Sequence, residues 1–122
     1  MEKMLIVEDD YSSIMLLRRI FKNDYEMDFC ESAEVYYEKY SNSKYDIIIM
    51  DIAINGSKSG LELIKEIKAK PTYTGTPILC LTAHAQMIMR QTAIESGADL
   101  FITKPVANKV LKEAVASLIM SH

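Results

Sequence analysis

The 122 residues of the chain are enough for one domain with a single core and too few for two. Apolar residues make up 49% and charged residues 25%, as in an ordinary globular protein, and no apolar run approaches the roughly 20 residues that cross a bilayer. A net charge of −3 gives no electrostatic reason to bind nucleic acid. We therefore expect neither nucleic acid nor membrane among its partners.

Five short apolar runs recur along the chain at a steady interval, and we expect each to form a strand. The first, third and fourth are nearly continuous, which is typical of strands covered on both faces of a sheet. The second and fifth are shorter and are expected to flank the others. The runs occupy residues 4–7, 27–29, 47–50, 77–81 and 100–102.

The segments between these runs carry apolar residues at helical spacing. In the first of them Ile14, Leu17 and Phe21 would share one face, and Asp10 is expected to cap the N-terminus of the helix. Strand and helix alternating five times predict an α/β fold, a doubly wound (βα)5 domain over 1–122 with a five-stranded parallel sheet. The predicted helices lie at 11–22, 32–41, 60–69, 86–96 and 106–120.

The two cysteines, Cys30 and Cys80, lie beside apolar strand-like segments and form no disulfide framework. We expect reduced, buried thiols in a cytoplasmic protein. With only two histidines, His84 and His122, the chain has no zinc-binding spacing.

Polar side chains follow four of the five predicted strands. Glu8 and Asp9 follow the first strand, Asp51 the third, Thr82 the fourth and Lys104 the fifth. The carboxyl ends of parallel strands meet at one edge of a sheet, so these groups are expected to converge there. Two carboxylates 4 Å apart repel by about 4 kcal/mol at an effective dielectric near 20, and a hard cation such as Mg²⁺ or Mn²⁺ removes that cost.

This set of groups suits one kind of chemistry. A carboxylate beside a hard cation, an amine and a hydroxyl can accept a phosphoryl group as an acyl phosphate. A lone aspartate after a strand is usually a turn former or helix cap, and a lone Thr82 or Lys104 indicates nothing. Their joint occurrence at four strand ends is what indicates phosphoryl transfer.

The ordered motifs "LIVEDD", "IIIMD", "PILCLTAHA" and "SGADLFITKP" resemble the receiver domain of two-component response regulators. The resemblance implies a flavodoxin-like fold. It also implies that Asp51 accepts a phosphoryl group from the phosphohistidine of a sensor histidine kinase or a phosphotransfer protein. Glu8, Asp9, Asp51 and the backbone carbonyl of Ala53 would hold Mg²⁺ or Mn²⁺.

The same resemblance assigns the remaining site residues. Thr82 would be the switch hydroxyl, Lys104 the phosphate-binding amine and Phe101 the aromatic switch of the fifth strand. A cis peptide bond is expected between Lys104 and Pro105. The chain would be a phosphoacceptor that assists its own phosphorylation and dephosphorylation, rather than a turnover enzyme.

The predicted helix at 86–96 has two apolar faces. Met89 and Ala93 lie 40° apart and should face the sheet, whereas Met87 and Ile94 lie on the opposite side. Receivers typically signal through the face formed by this helix, the fifth strand and the last helix, and the resemblance implies the same face here. Met87 and Ile94 would then belong to a surface for a downstream protein target or for a homodimer.

The sequence departs from the family around the acceptor. The segment "DIAINGSKSGLEL" lacks the proline and the Asp-Gly pair that often follow the acceptor, and it has one extra residue, so its conformation is left open. Ala53 and His84 lie two residues past Asp51 and Thr82, at positions that the family uses to tune the phosphoryl lifetime. That lifetime is also left open, and His84 is expected to be a solvent-facing loop residue.

Three other functions are alternatives to that of a phosphoacceptor. An unphosphorylated pseudo-receiver, acting as an interaction module, would be expected to have lost part of the pocket. An Asp-nucleophile phosphatase needs a second aspartate where the chain has Ala53. A flavodoxin-like cofactor binder needs a Ser/Thr/Gly-rich loop where "EDDYSS" places negative charge. Because the sequence contains no output domain, we expect a single-domain regulator or phosphorelay shuttle, and Met1 directly before the first strand fits a natural start. A receiver cut from a longer regulator or hybrid kinase would look the same.

Overall fold

The computed structural model describes residues 1–83 and 87–121, and its centre is a five-stranded, fully parallel sheet in the order β2-β1-β3-β4-β5. The predicted parallel sheet is confirmed, and the two short runs form its edge strands as expected. Each strand lies within two residues of its predicted bounds. The strands are β1 (Glu2–Val7), β2 (Tyr25–Cys30), β3 (Ile47–Met50), β4 (Ile78–Thr82) and β5 (Leu100–Thr103).

A helical segment follows every strand, which confirms the predicted five-fold alternation. Among the residues that the structure describes, no helix is long and apolar enough to cross a membrane. The helices are α1 (Tyr11–Phe21), α2 (Ala33–Val35), which continues as a π-helix (Tyr36–Tyr40), α3 (Gly60–Ala69), α4 (Met87–Ser96) and α5 (Asn108–Met120).

The central strands are apolar throughout because both faces of the sheet are covered. Successive side chains of a strand point to opposite faces. Ile48 and Met50 of β3 therefore pack in the cluster that contains residues of α2 and α3. Ile47 and Ile49 pack in the cluster that contains residues of α1 and α5. This two-layer burial fixes the ends of the central strands, where the polar residues begin.

Two helical segments differ from their predicted form. The segment predicted as one helix over 32–41 is a short α-helix followed by a π-helix, and Tyr37 lies at the surface, where its hydroxyl donates to Glu66. In α5 the buried side chains are Leu111 and Val115, while Val110 is exposed. The sequence places apolar residues four apart at Val106, Val110, Ala114 and Leu118. A spacing of four residues drifts around a helix by 40° per step, so this stripe leaves the buried face.

The local predictions on the cap and the thiols are confirmed. The Asp10 carboxylate accepts a hydrogen bond from the Ser13 backbone N–H at 2.9 Å and caps α1. Cys30 and Cys80 are both buried and carry free thiols. Burial raises the pKa of the Cys80 thiol to about 12, so this group stays protonated at neutral pH.

Candidate phosphoacceptor site

The register of the sheet brings the polar strand ends together. Val7 of β1 lies opposite Met50 of β3, so the residues that follow them, Glu8 and Asp51, leave neighbouring strands at the same level. On the other side, Thr82 of β4 is in register with Thr103 of β5, directly before Lys104. These residues therefore share the carboxyl edge of the sheet.

Lys104 is the centre of the observed contacts. Its Nζ donates to Glu8 Oε1 at 2.5 Å, to Asp51 Oδ2 at 3.1 Å and to Ser13 Oγ at 3.1 Å. The predicted cis peptide bond between Lys104 and Pro105 is confirmed. One ammonium group thus neutralises part of the negative charge of two carboxylates from different strands.

Glu8 is a buried carboxylate held on both oxygens. Besides the contact with Lys104, its Oε2 accepts hydrogen bonds from the backbone N–H groups of Asp9 at 3.1 Å and Asp10 at 3.3 Å. Burial raises the pKa of Glu8 above its usual value, and the hydrogen bond with Lys104 opposes that rise. Glu8 is therefore the carboxyl group of this pair that protonates more readily.

Asp51 lies in a buried position that nevertheless favours its ionised form. Burial opposes ionisation, but the hydrogen bond with Glu8 and the charge of Lys104 outweigh it and lower the pKa of Asp51. The Ala53 backbone N–H also donates to Asp51 Oδ1 at 3.1 Å. An ionised carboxylate oxygen at the edge of the sheet is what nucleophilic attack on phosphorus requires.

The chemistry of the donor set fits a hard cation, since Glu8, Asp9 and Asp51 supply carboxylates and Ala53 supplies a backbone carbonyl. Asp9 is half-buried at the same edge. Within residues 1–83 and 87–121, however, no three Asp, Glu, His or Cys side chains are arranged to hold a metal ion as they stand. Lys104 contacts the carboxylates of Glu8 and Asp51 instead.

The loop between β3 and α3, whose conformation the sequence left open, is held by contacts with the segment after β2. The Asn55 backbone N–H donates to the Glu31 carbonyl at 3.2 Å. Ser57 donates to Glu34 Oε2 from its backbone N–H at 3.1 Å and from its hydroxyl at 2.8 Å. The extra residue is therefore accommodated in a loop that is fixed at several points.

Gly60 ends this loop and begins α3 in direct contact with the backbone of Asp51 and Ile52. Its backbone N–H donates to the Ile52 carbonyl at 2.8 Å. A Cβ atom at Gly60 would lie 1.9 Å from the carbonyl oxygen of Asp51, so the position has no room for a side chain. Close backbone approach explains the glycine here, even without the Asp-Gly pair of the family.

The two proposed switch residues, Thr82 and Phe101, are both buried. Phe101 packs in the same apolar cluster as Cys80 and Ala93, and the Arg90 guanidinium lies 5.8 Å from its ring centroid. The Phe101 side chain is therefore turned inward.

The two faces of α4 are arranged as predicted. Ala93 is fully buried and Met89 packs against the core, whereas Met87 is 84% exposed and Ile94 47% exposed. The expectation on His84 lies outside the described residues.

Sequence reasoning missed three residues that shape the site. Ser13 contacts Lys104, Glu34 holds the loop through Ser57, and Gly60 allows α3 to approach the acceptor. For Ser13 a signal was present, because the first turn of a helix that follows β1 must begin beside the acidic residues. Glu34 had no such signal.

The geometry defines a parallel α/β domain in which the carboxylates of Glu8 and Asp51 and the amine of Lys104 meet at the carboxyl edge of the sheet. The sequence matches the response regulator receiver domain family over residues 4–116, and the chain belongs to this family, whose members act in two-component signal transduction.

Curated relatives come from both regulators and sensor kinases. The regulatory protein VanRB of Enterococcus faecalis is 30% identical over 96% of this chain and 52% of its own length. The sensor protein GacS of Pseudomonas syringae is 24% identical over 93% of this chain and 13% of its own length. The chain therefore spans about half of VanRB and a small part of GacS.

Solved structures agree on the fold. The signal receiver domain of a histidine kinase from Syntrophus aciditrophicus has a TM-score of 0.88 and 27% identity, covering 99% of this chain and 92% of its own. The receiver domain of the sensor histidine kinase PA1611 from Pseudomonas aeruginosa has a TM-score of 0.87 and 22% identity, covering 98% of each chain, and holds a magnesium ion in its active-site cleft.

Proposed function

We propose that residues 1–122 form one receiver domain that takes a phosphoryl group onto Asp51 from the phosphohistidine of a sensor histidine kinase or a phosphotransfer protein. The observation that carries this proposal is the contact of Lys104 Nζ with Asp51 Oδ2 at 3.1 Å, beside buried Glu8 at the carboxyl edge of the sheet. A structural ion pair would not need the acidic pair and Thr82 at the same edge.

The transfer would proceed by direct displacement. An ionised oxygen of Asp51 attacks phosphorus, the new O–P bond forms as the P–N bond breaks, and the imidazole leaves with the bonding pair and takes up a proton. Lys104 neutralises the charge of the transferring group. The Thr82 hydroxyl donates a hydrogen bond to one of its oxygens.

Mg²⁺, or Mn²⁺ in its place, would be held by Glu8, Asp9, Asp51 and the carbonyl of Ala53. When bound it supplies positive charge that offsets the charge of the phosphoryl oxygens. Lys104 already contacts an oxygen of Glu8 and an oxygen of Asp51. Glu8 and Asp51 would therefore have to share their oxygens between the amine and the cation.

A protein phosphodonor would be seated in the groove between α1 and α5. This groove has a volume of about 360 Å³ and is mostly apolar, and Ser13 and Lys104 belong to its lining. Exposed Leu16 also contributes to it. Because the groove and the acceptor pocket share Lys104, a partner seated there lies beside Asp51.

The output surface would be the face of α4, β5 and α5. Met87, Ile88 and Ile94 present apolar side chains to solvent on α4, and Val110 does so on α5. The partner would be a downstream protein or a second copy of the chain. We further propose a cytoplasmic location, where a histidine kinase domain and reduced thiols are both found.

The experiment that tests the proposal is phosphoryl uptake from acetyl phosphate, followed by intact-mass measurement. The wild-type chain should gain one phosphoryl group with Mg²⁺ and none after the metal is removed by a chelator. Asp51→Asn should gain none under either condition. A wild-type chain that takes up no phosphoryl group from acetyl phosphate or from phosphorylated kinases would be a pseudo-receiver.

A further inference from the structure

Ser13 lies in the first turn of α1, where its hydroxyl oxygen is 3.1 Å from Lys104 Nζ. The residue is half-buried. It also lines the groove between α1 and α5 together with Lys104, so the contact sits where the acceptor pocket opens to solvent.

The ammonium group of Lys104 has three protons, and it contacts three acceptors among the residues that the structure describes. Two are the carboxylates of Glu8 and Asp51, and the third is the Ser13 hydroxyl. Three acceptors from three different segments fix both the position and the rotation of the amine. Without the hydroxyl, the third N–H would face the open groove and water.

A fixed amine matters because Lys104 must stay in place while the charge of Asp51 changes. When Asp51 becomes phosphorylated, the oxygen that accepts from Lys104 is consumed or moves. Glu8 and Ser13 are then the contacts that keep the amine aimed at the transferring group. Positioned charge acts on the transition state at no cost of reorganisation.

We propose that Ser13 is a positioning residue for the phosphorylation of Asp51, acting through Lys104. The inference rests on the proposed function of Asp51. Two substitutions of Ser13 isolate the effect of its hydroxyl group. Ser13→Thr keeps the hydroxyl, and Ser13→Val has the shape of threonine without it. Ser12, exposed in the same turn, is the matched control.

The test compares rates of phosphorylation by acetyl phosphate at saturating Mg²⁺ over a range of donor concentrations. Ser13→Ala and Ser13→Val should lower the maximal rate by about fivefold to tenfold, which corresponds to the net contribution of one typical hydrogen bond. The donor concentration at half-maximal rate should change less. Ser13→Thr should recover most of the rate, and Ser12→Ala should match wild type.

Repeating the Ser13→Ala substitution in a Lys104→Met variant distinguishes positioning of Lys104 from a general structural effect of Ser13. In Lys104→Met, adding Ser13→Ala should cause no further loss of rate, because the group that it positions is gone. An equal loss in both backgrounds, or a Ser13→Val rate equal to that of Ser13→Thr, would overturn the inference while wild type is still phosphorylated. A wild-type chain without uptake at Asp51 would instead defeat the proposed function and this inference with it.

Discussion

Lys104 and Asp51 are 53 positions apart in the chain, yet Lys104 Nζ lies 3.1 Å from Asp51 Oδ2. Two strands of the parallel sheet bring them to one edge, and the same amine also contacts buried Glu8. Burial disfavours the ammonium form, but the hydrogen bond with Glu8 and the charge of Asp51 raise the pKa of Lys104. The lysine is therefore charged at neutral pH and compensates two carboxylates at once.

Removing this charge should destabilise the chain when no metal is present. Lys104→Met leaves the carboxylate of Glu8 buried without its strongest donor, and we expect the free energy of unfolding to fall by about 2 kcal/mol. Urea unfolding at pH 7 with a chelator measures the change. Lys109→Met, at an exposed position of α5, should stay within about 0.5 kcal/mol of wild type. Equal stabilities for the two variants would mean that the contact with Glu8 contributes little.

A methyl group at Gly60 should be poorly tolerated. The Cβ atom of Gly60→Ala would lie 1.9 Å from the carbonyl oxygen of Asp51, so α3 must move away from the acceptor. We expect a loss of about 3 kcal/mol in the free energy of unfolding. Gly75→Ala is the control, since a Cβ atom there meets nothing within 4 Å and only the backbone conformation at φ +93° is strained. For Gly75→Ala we expect the free energy of unfolding to fall by about 1 kcal/mol. A loss for Gly60→Ala that is no larger would contradict the close approach of Gly60 to the Asp51 carbonyl oxygen.

Metal affinity should depend more on Asp9 than on Glu8. The oxygens of Glu8 already accept from Lys104 and from two backbone N–H groups, and this longer side chain can act through water. Titration calorimetry should give a Mg²⁺ dissociation constant about tenfold or more higher for Asp9→Asn, and a smaller change for Glu8→Gln. Asp24→Asn, a distant and exposed control, should bind as wild type. The reverse order for Asp9 and Glu8 would contradict the proposed ligand roles.

The exposed apolar side chains of α4 should matter for output and not for phosphorylation. Replacing Met87 and Ile94 together by serine removes apolar surface that gains nothing from the core. We expect unchanged folding and phosphoryl uptake, with weaker self-association of the phosphorylated chain in sedimentation or weaker binding to its target. Leu16→Ser on α1 is matched to Ile94, because both side chains are 47% exposed.

If the double variant associates as strongly as wild type, the apolar patch of α4 is incidental. The output surface then lies elsewhere on the molecule. Loss of association in Leu16→Ser alone would place it on α1.

The strand ends were predictable because they follow from burial. Continuous apolar runs such as "IIIM" identify central strands, and the side chain directly after each run must reach the edge of the sheet. The positions of Glu8, Asp51, Thr82 and Lys104 at one edge follow from that rule and from parallel topology. The helical spacing of apolar residues also predicted the buried faces of α1 and α4.

Contacts that depend on side-chain conformation were not predictable in the same way. Glu34 reaches Ser57 across 23 positions, and Ser13 reaches Lys104 across 91, with no pattern in the sequence that pairs them. The π-helix at Tyr36–Tyr40 was missed because its apolar spacing fits an ordinary helix. Phe101 lies inward in the buried cluster that also contains Ala93, and sequence spacing alone does not predict that position.

The central claim is that the acceptor oxygen belongs to Asp51, and chemical mapping of the phosphorylated chain tests it most directly. Borohydride reduces an aspartyl phosphate to homoserine, which peptide mass spectrometry locates in the sequence. After incubation with acetyl phosphate and Mg²⁺, we predict homoserine at position 51 alone. Homoserine at position 9 or 46, or a phosphoryl group that resists borohydride, would contradict the assignment of Asp51 as the phosphoacceptor.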